Sequence, residues 1–326
     1  MRQESKKKMD YILLIVGLVL LTWGADLLTK GCVGMAARFR VPEFIVGLTV
    51  MAVGTSMPEL TVSTLSAING SSDMAIGNVT GSNLFNTLII LGICAIIRPM
   101  VFTKENIRRD IPLCIAVSAL LLVMALYVGT PAGIGRVEGA ILFAFYIAFV
   151  VYSIRSAKKD SPDAEAGTDD GQQSETTMGW GKILFFIVVG LAGLIYGGNL
   201  CLDSATAIAR AWGVSEAIIA ITIVAAGTSL PELASSVAAI ANGKLSLALG
   251  NVIGSNVANI LLILGMSGAI KPLTMGGITP LDMWMVVGSA VVLFLSALAI
   301  GQRRITRFEG VIYLAIYVAY VFMLMK

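Results

Sequence analysis

Histidine is absent from this 326-residue chain, and charge is scarce: Asp, Glu, Lys and Arg make up 13% of the residues, against about 25% in a soluble globular domain. The missing His removes the commonest general base at neutral pH and the commonest transition-metal ligand, which excludes most zinc, haem and His-dependent hydrolytic chemistry. Cys32, Cys94, Cys114 and Cys201 stand singly in apolar runs without a C-x-x-C spacing. They are therefore read as small packing residues, not as a disulfide frame, a redox pair or a metal knuckle. No G-x-G-D motif and no Cys beside a base occurs, so an intramembrane enzyme lacks its catalytic inventory. A net charge of +3 forms no basic patch, which argues against a nucleic-acid partner.

In place of charge there is apolar length. Hydrophobic residues make up 57% of the chain and fall into ten runs, over 10–37, 43–69, 74–97, 110–129, 137–155, 180–208, 215–241, 246–270, 281–301 and 309–325. About 20 apolar residues cross a bilayer, so the expected fold is all-α, a polytopic membrane protein of ten transmembrane helices. The long polar stretch 156–179 is rich in Asp, Glu, Ser, Gly and Gln and reads as a linker between halves 1–155 and 180–326. Fourteen Lys and Arg lie on the face that carries the linker, eight on the other, with Lys30 near the end of the first span. The positive-inside rule then places the linker in the cytoplasm and both termini outside, at the plasma membrane. The N-terminal RQESKKK resembles a signal-peptide leader, but the apolar run after it is long enough to span and has no A-x-A site, so an uncleaved first helix is expected.

The halves are duplicates. Shifting the chain by 173 residues aligns 47–99 with 220–272 at 25 identities in 53 positions, including GTSMPEL at 54–60 against GTSLPEL at 227–233 and GNVTGSN at 77–83 against GNVIGSN at 250–256. A repeat of five spans is odd, so the second copy must enter the bilayer from the opposite side, giving two inverted five-helix repeats. Such proteins place their substrate near the midplane, where the copies meet.

Each copy carries a Pro inside a span, Pro58 and Pro231, where the missing N–H should kink the helix and free carbonyls around Ala52–Thr55 and Ala225–Thr228. A carboxylate follows directly, Glu59 and Glu232, in the middle of an apolar run where an unpaired charge is costly, so a cation must compensate it. The next span supplies Ser82, Asn83 and Asn86, or Ser255, Asn256 and Asn259, of which residues at i and i+4 share a helix face. Thr55, Ser56, Thr228 and Ser229 add hydroxyls. An all-oxygen set of this kind suits the hard cations Ca²⁺, Na⁺, Mg²⁺ or K⁺. Asn78 and Asn251 read instead as bonds to a neighbouring helix, the glycines as close-packing residues, and Asp26, Lys30 and Asp203 as span-end groups. The acidic linker lacks the spacing of a Ca²⁺ loop.

GTSMPE with GSNLFN, repeated as GTSLPE with GSNVAN, resembles the paired alpha-repeats of the sodium/calcium exchanger family of cation/calcium antiporters, prokaryotic type. The resemblance covers essentially the whole chain. It implies that Glu59 and Glu232 are the central ligands of transported Ca²⁺ and Na⁺, with Thr55, Ser56, Thr228, Ser229, Ser82, Ser255, Asn86 and Asn259 lining the sites and Ala52 and Ala225 contributing carbonyls. It also implies alternating access by sliding of spans 1 and 6, with no cofactor and no obligatory protein partner. Many members of that family carry Asp where this chain has Asn259, so the site here holds two carboxylates. Two such groups facing each other repel, and protons compete for them. Na⁺/Ca²⁺ antiport is thus the leading expectation, with proton-coupled Ca²⁺ antiport as its alternative, K⁺ as a further possible counter-ion and a cation channel behind both.

Overall fold

The computed structural model describes residues 2–127, 133–159, 178–213, 225–275, 277–299 and 303–324. Helix dominates. In chain order come α1 (Arg2–Phe39), α2 (Glu43–Thr55), α3 (Met57–Asn69), α4 (Ser72–Ile97), α5 (Ile111–Tyr127), α6 (Arg136–Lys159), α7 (Trp180–Ala211), α8 (Leu230–Ala241), α9 (Leu245–Ile270), α10 (Pro280–Ala299) and α11 (Arg307–Leu324). A short turn, Ala225–Gly227, precedes α8. Four two-residue strands join them: β1 (Met100–Val101), β2 (Gly133–Ile134), β3 (Leu273–Thr274) and β4 (Arg304–Ile305).

Helix starts follow local capping chemistry. Thr279 and Asp282 exchange backbone and side-chain bonds at the head of α10, where Pro280 takes the first helical position. Thr306 and Glu309 do the same for α11. Each pairing satisfies N–H groups that have no intrahelical acceptor.

Seven of these helices are long and apolar enough to cross a membrane, or eight if α2 and α3, bent by 48° at their junction, form one span. Of the ten expected runs, the fourth corresponds to α5, whose 17 residues are apolar throughout. The seventh corresponds to the turn Ala225–Gly227 and α8. Its N-terminal stretch 215–224 lies outside the described residues, as does linker segment 160–177. The expected run 43–69 is two helices rather than one, because the Pro58 break ends α2 at Thr55. The run 137–155 is exceeded by α6, which carries its helical hydrogen bonding on to Lys159.

Burial sorts the helices into two layers. In its most apolar stretch α9 is 94% buried and α4 72%, whereas α1, α6, α7, α10 and α11 are 22–39% buried. Exposed Ile15, Val19, Leu184, Val188, Leu298 and Phe322 stud that outer layer. An apolar exterior around a packed interior is stable in lipid and not in water.

Lipid supplies no hydrophobic drive between helices, so close packing must come from small side chains. The seam between α1 and α7 shows this. A Cβ at Gly24 would lie 2.7 Å from both the Gly190 carbonyl oxygen and the Leu194 amide nitrogen, and one at Gly190 would lie 2.6 Å from the Leu28 amide nitrogen. Contacts between the halves also come in reciprocal pairs. β1 pairs antiparallel with β4, and β2 with β3, although β1 and β3, like β2 and β4, occupy matching places in the duplicated sequence.

Gly24→Leu or Gly190→Leu forces backbone apart rather than a flexible side-chain tip, so each should destabilise the fold by about 1–3 kcal/mol. Gly181→Leu, with no atom within 4 Å of a new Cβ, is the matched control and should leave thermal unfolding in detergent unchanged.

Candidate functional site

The break between α2 and α3 sits at Ser56, with φ −82° and ψ 10°; its counterpart Ser229 before α8 has φ −88° and ψ 6°. Pro58 and Pro231 lie in the first turns of α3 and α8, followed by Glu59 and Glu232. A carboxylate in a helix's first turn faces the positive end of the helix dipole and its unpaired N–H groups, which offsets part of the cost of burial. Both are fully enclosed, Glu59 at 0% and Glu232 at 1% exposure.

Each glutamate is held by the opposite half. Ser56 donates from Oγ to Glu232 Oε1 at 2.7 Å, and Ser229 donates to Glu59 Oε1 at 3.0 Å. Ser82 adds a longer bond to Glu59 Oε1 at 3.4 Å and lies 3.2 Å from Ser229 Oγ. Thr55 Oγ1 donates to Asn251 Oδ1 at 3.3 Å, while Thr228 Oγ1 donates to Asn78 Oδ1 at 3.4 Å. These bonds form two reciprocal clusters where the halves cross: Thr55 and Ser56 with Glu232, Thr55 joining through Asn251 and Ser235, and Ser82, Ser229 and Thr228 with Glu59, Thr228 joining through Asn78.

The remaining candidates sit deeper in the helices. Glu59 Oε2, Glu232 Oε2, both amide atoms of Asn86, Ser255 Oγ and Asn259 Oδ1 are buried without a hydrogen-bond partner among the described residues. A buried polar atom left unpaired costs about 1–3 kcal/mol, so a concentration of them needs a compensating ligand. No ion pair among the described residues involves Glu59 or Glu232, and no group of three or more His, Cys, Asp or Glu gathers as a resident metal centre. What the arrangement offers is oxygen: two carboxylates, hydroxyls and amide carbonyls, a donor set for hard cations.

Three expectations change in detail. Ser82 with Asn86, and Ser255 with Asn259, should share a face at i and i+4, but π-helical turns at Phe85–Ile90 and Asn259–Leu264 interrupt the α-helical period there. Ser82 bonds Glu59, Asn86 has no hydrogen-bond partner among the described residues, and Asn259 Nδ2 donates to Asn83 Oδ1 at 2.9 Å. The Ala52 carbonyl is not released: it accepts the Ser56 N–H at 3.0 Å and the Thr55 hydroxyl at 3.4 Å, because helix α2 persists to Thr55 and breaks only afterwards. Ala225 stands at the matching place in the turn Ala225–Gly227.

The asparagines carry more of the architecture than their spacing suggests. Asn78 Nδ2 donates to Ser63 Oγ and to the Glu59 carbonyl, tying α4 to the head of α3. Asn251 Nδ2 donates to Ser235 and Ser236 on α8, as expected of a residue bonding its neighbour helix. Asn83 Nδ2 donates to the Asn256 carbonyl, and Asn256 Nδ2 to Thr87 Oγ1 at 2.7 Å, so α4 and α9 are stitched through their amides. The sequence signal was the doubled G-S-N itself, in which the Asn follows the hydroxyl that faces the glutamate. Around this core the two halves differ: Thr55 is fully buried, whereas Thr228 is half-buried and borders a cavity of about 330 Å³ lined also by Met57, Pro58, Asn199, Leu202 and Pro231.

Asn83→Ala and Asn259→Ala share one amide bond, so their effects on stability should fail to add, with a coupling of about 0.5–3 kcal/mol in a double-mutant cycle of denaturation in detergent. Additive losses would contradict the bond.

Three comparisons bear on this site. Residues 9–155 and 182–326 match the family described as "Sodium/calcium exchanger protein". CaxA of Alkalimonas amylolytica, named as an antiporter, is 36% identical over 96% of this chain and 98% of its own length. The sodium/calcium exchanger MaX1 of Methanosarcina acetivorans is 31% identical over 97% and 98% respectively. A solved structure of the sodium-calcium exchanger NCX_Mj, soaked with Na⁺ and Sr²⁺, superposes with a TM-score of 0.82 at 30% identity, covering 97% of this chain and 98% of that one. With both halves matched and the fold shared from end to end, the chain belongs to the sodium/calcium exchanger protein family.

Proposed function

We propose that this protein is a secondary antiporter that exchanges Na⁺ for Ca²⁺ across the membrane by alternating access, with both ions bound where the two halves cross. The observation that carries the reading is the pair of buried glutamates, each bonded by a serine of the opposite half and neither paired with a cationic side chain among the described residues. Two carboxylates balance one Ca²⁺, and the unpartnered oxygens of Glu59, Glu232, Asn86, Ser255 and Asn259 are the further ligands. Thr55, Ser56, Ser82, Thr228 and Ser229 complete the lining, with the carbonyl of Ala225 as an outer ligand. The names of MaX1 and NCX_Mj support Na⁺ and Ca²⁺ as the transported pair.

The architecture proposed for this task is ten transmembrane helices as two inverted five-helix repeats, 1–155 and 180–326, with the linker 156–179 in the cytoplasm and both termini outside at the plasma membrane. The reciprocal strand pairs and the crossed Ser–Glu bonds support a two-fold relation between the copies. The contrast between buried Thr55 and half-buried Thr228 beside its cavity supports access from one side at a time. Exchange of those roles follows when α1 and α7, joined by their glycine seam, slide along the inner helices.

Purified protein in vesicles should take up Ca²⁺ when an outward Na⁺ gradient is imposed. Uptake under an outward proton gradient but not under Na⁺ would replace this reading with proton-coupled antiport; uptake without any counter-ion gradient would make it a channel. Glu59→Gln and Glu232→Gln should each abolish the flux while leaving the folded, monodisperse protein intact, and full transport in either variant would refute the site. Because Ca²⁺ needs both carboxylates ionised, uptake should fall as the pH is lowered, with apparent Ca²⁺ affinity weakening before the maximal rate.

A further inference from the structure

We propose that the corner formed by the start of α5, the end of α10 and Arg303 is a binding site for an anionic phospholipid, with its phosphate on Lys104, Arg108 and Arg303 and an acyl chain in the groove between α5 and α6. Two adjoining cavities carry the inference. One, of about 310 Å³, is lined by Lys104, Ile107, Arg108, Ala297, Leu298 and Arg303. It contains three cationic side chains and no acidic one. Lys104, Arg108 and Arg303 are exposed, and none of their side chains makes a hydrogen bond or ion pair among the described residues. Glu105, the nearest acidic neighbour in the chain, lines a different cavity with Glu43 and Arg109.

The second cavity, of about 700 Å³, shares Arg108 with the first and runs along an apolar trough whose walls include Leu113, Val117, Leu120, Phe145 and Phe149. Its volume lies within the roughly 300–1,000 Å³ of ordinary ligand pockets. Arg108 therefore stands where a charged pocket meets an apolar one. Arg109, at the same mouth, is held by Asp110 at 2.8 Å and donates to Ser156 at 2.7 Å, which fixes the rim. Arg303 is held as well: its φ of 51° lies in the left-handed region, and its carbonyl accepts the Phe102 N–H at 2.6 Å, so the β1–β4 pairing aims it.

Charge complementarity and the joined trough select a lipid over a free anion. Three cations attract a phosphate, while an inorganic ion would leave the trough unfilled; a zwitterionic lipid would fill the trough but bring its own cation to the pocket. Basic pockets between membrane helices recognise phosphate head groups in this way, and each Lys or Arg at a membrane surface contributes about a fivefold factor in binding.

The test is native mass spectrometry of the full-length protein titrated with dioleoyl-phosphatidylglycerol, dioleoyl-phosphatidylcholine or inorganic phosphate. Wild type should retain phosphatidylglycerol in clear preference to phosphatidylcholine, and excess phosphate should not displace it. Lys104→Gln, Arg108→Gln and Arg303→Gln should each weaken retention about fivefold. Ala116→Trp with Ala148→Trp should remove it by filling the trough with the charges intact. Equal retention of the two lipids, displacement by phosphate, indifference to Arg108→Gln or indifference to the filled trough would each overturn the proposal. Retention that arises only after removal of the acidic residues 160–177 would also overturn it, making that segment the occupant.

Discussion

Two carboxylates enclosed in an apolar bundle, paired with no cationic side chain among the described residues, set the terms for everything around them. Moving such groups out of water is costly unless charge or hydrogen bonds replace the lost hydration. The chain supplies replacement in layers. Each glutamate sits in the first turn of a helix that begins at a proline, so backbone dipoles face it. A serine from the other half then donates to it. The amide–hydroxyl pairs behind, Asn78 with Ser63 and Asn251 with Ser235 and Ser236, hold the broken helices in register. What these layers leave is a set of oxygens still lacking partners among the described residues, the feature on which the proposed cation site rests.

The same constraint explains why the helices divide into an inner and an outer layer. Broken backbone is tolerated at membrane depth only when enclosed by protein, and α4 and α9, the most buried helices, provide that enclosure. Their mutual amide bonds keep them together without hydrophobic drive. At the periphery, α1 and α7 meet through glycines, an interface of close van der Waals contact. The structure thus sets hydrogen-bonded helices inside against a glycine-packed seam outside.

Much of this was legible in the residues. Duplication placed the site, because a costly Glu after a helix-breaking Pro is hard to explain once and harder twice in step. The apolar runs located helices, although their limits drifted where capping or a break intervened: Thr279 and Thr306 start helices through side-chain bonds that hydropathy does not register. Sequence spacing gives no sign of the π-helical turns at Phe85–Ile90 and Asn259–Leu264, since they depend on how the backbone packs and not on a residue pattern. Ala52 was expected to lose its hydrogen bond and kept it, since the break falls one residue after α2 ends.

By itself the sequence determined the membrane class, the doubling, the break positions and the all-oxygen character of the site, since these depend on composition and local covalent constraints such as the N–H that proline lacks. Only the tertiary structure decided which serine faces which glutamate, which oxygens remain unpartnered and that Thr55 is buried while Thr228 borders a cavity. Those are relations between segments more than 140 residues apart, created when two duplicated halves pack against each other.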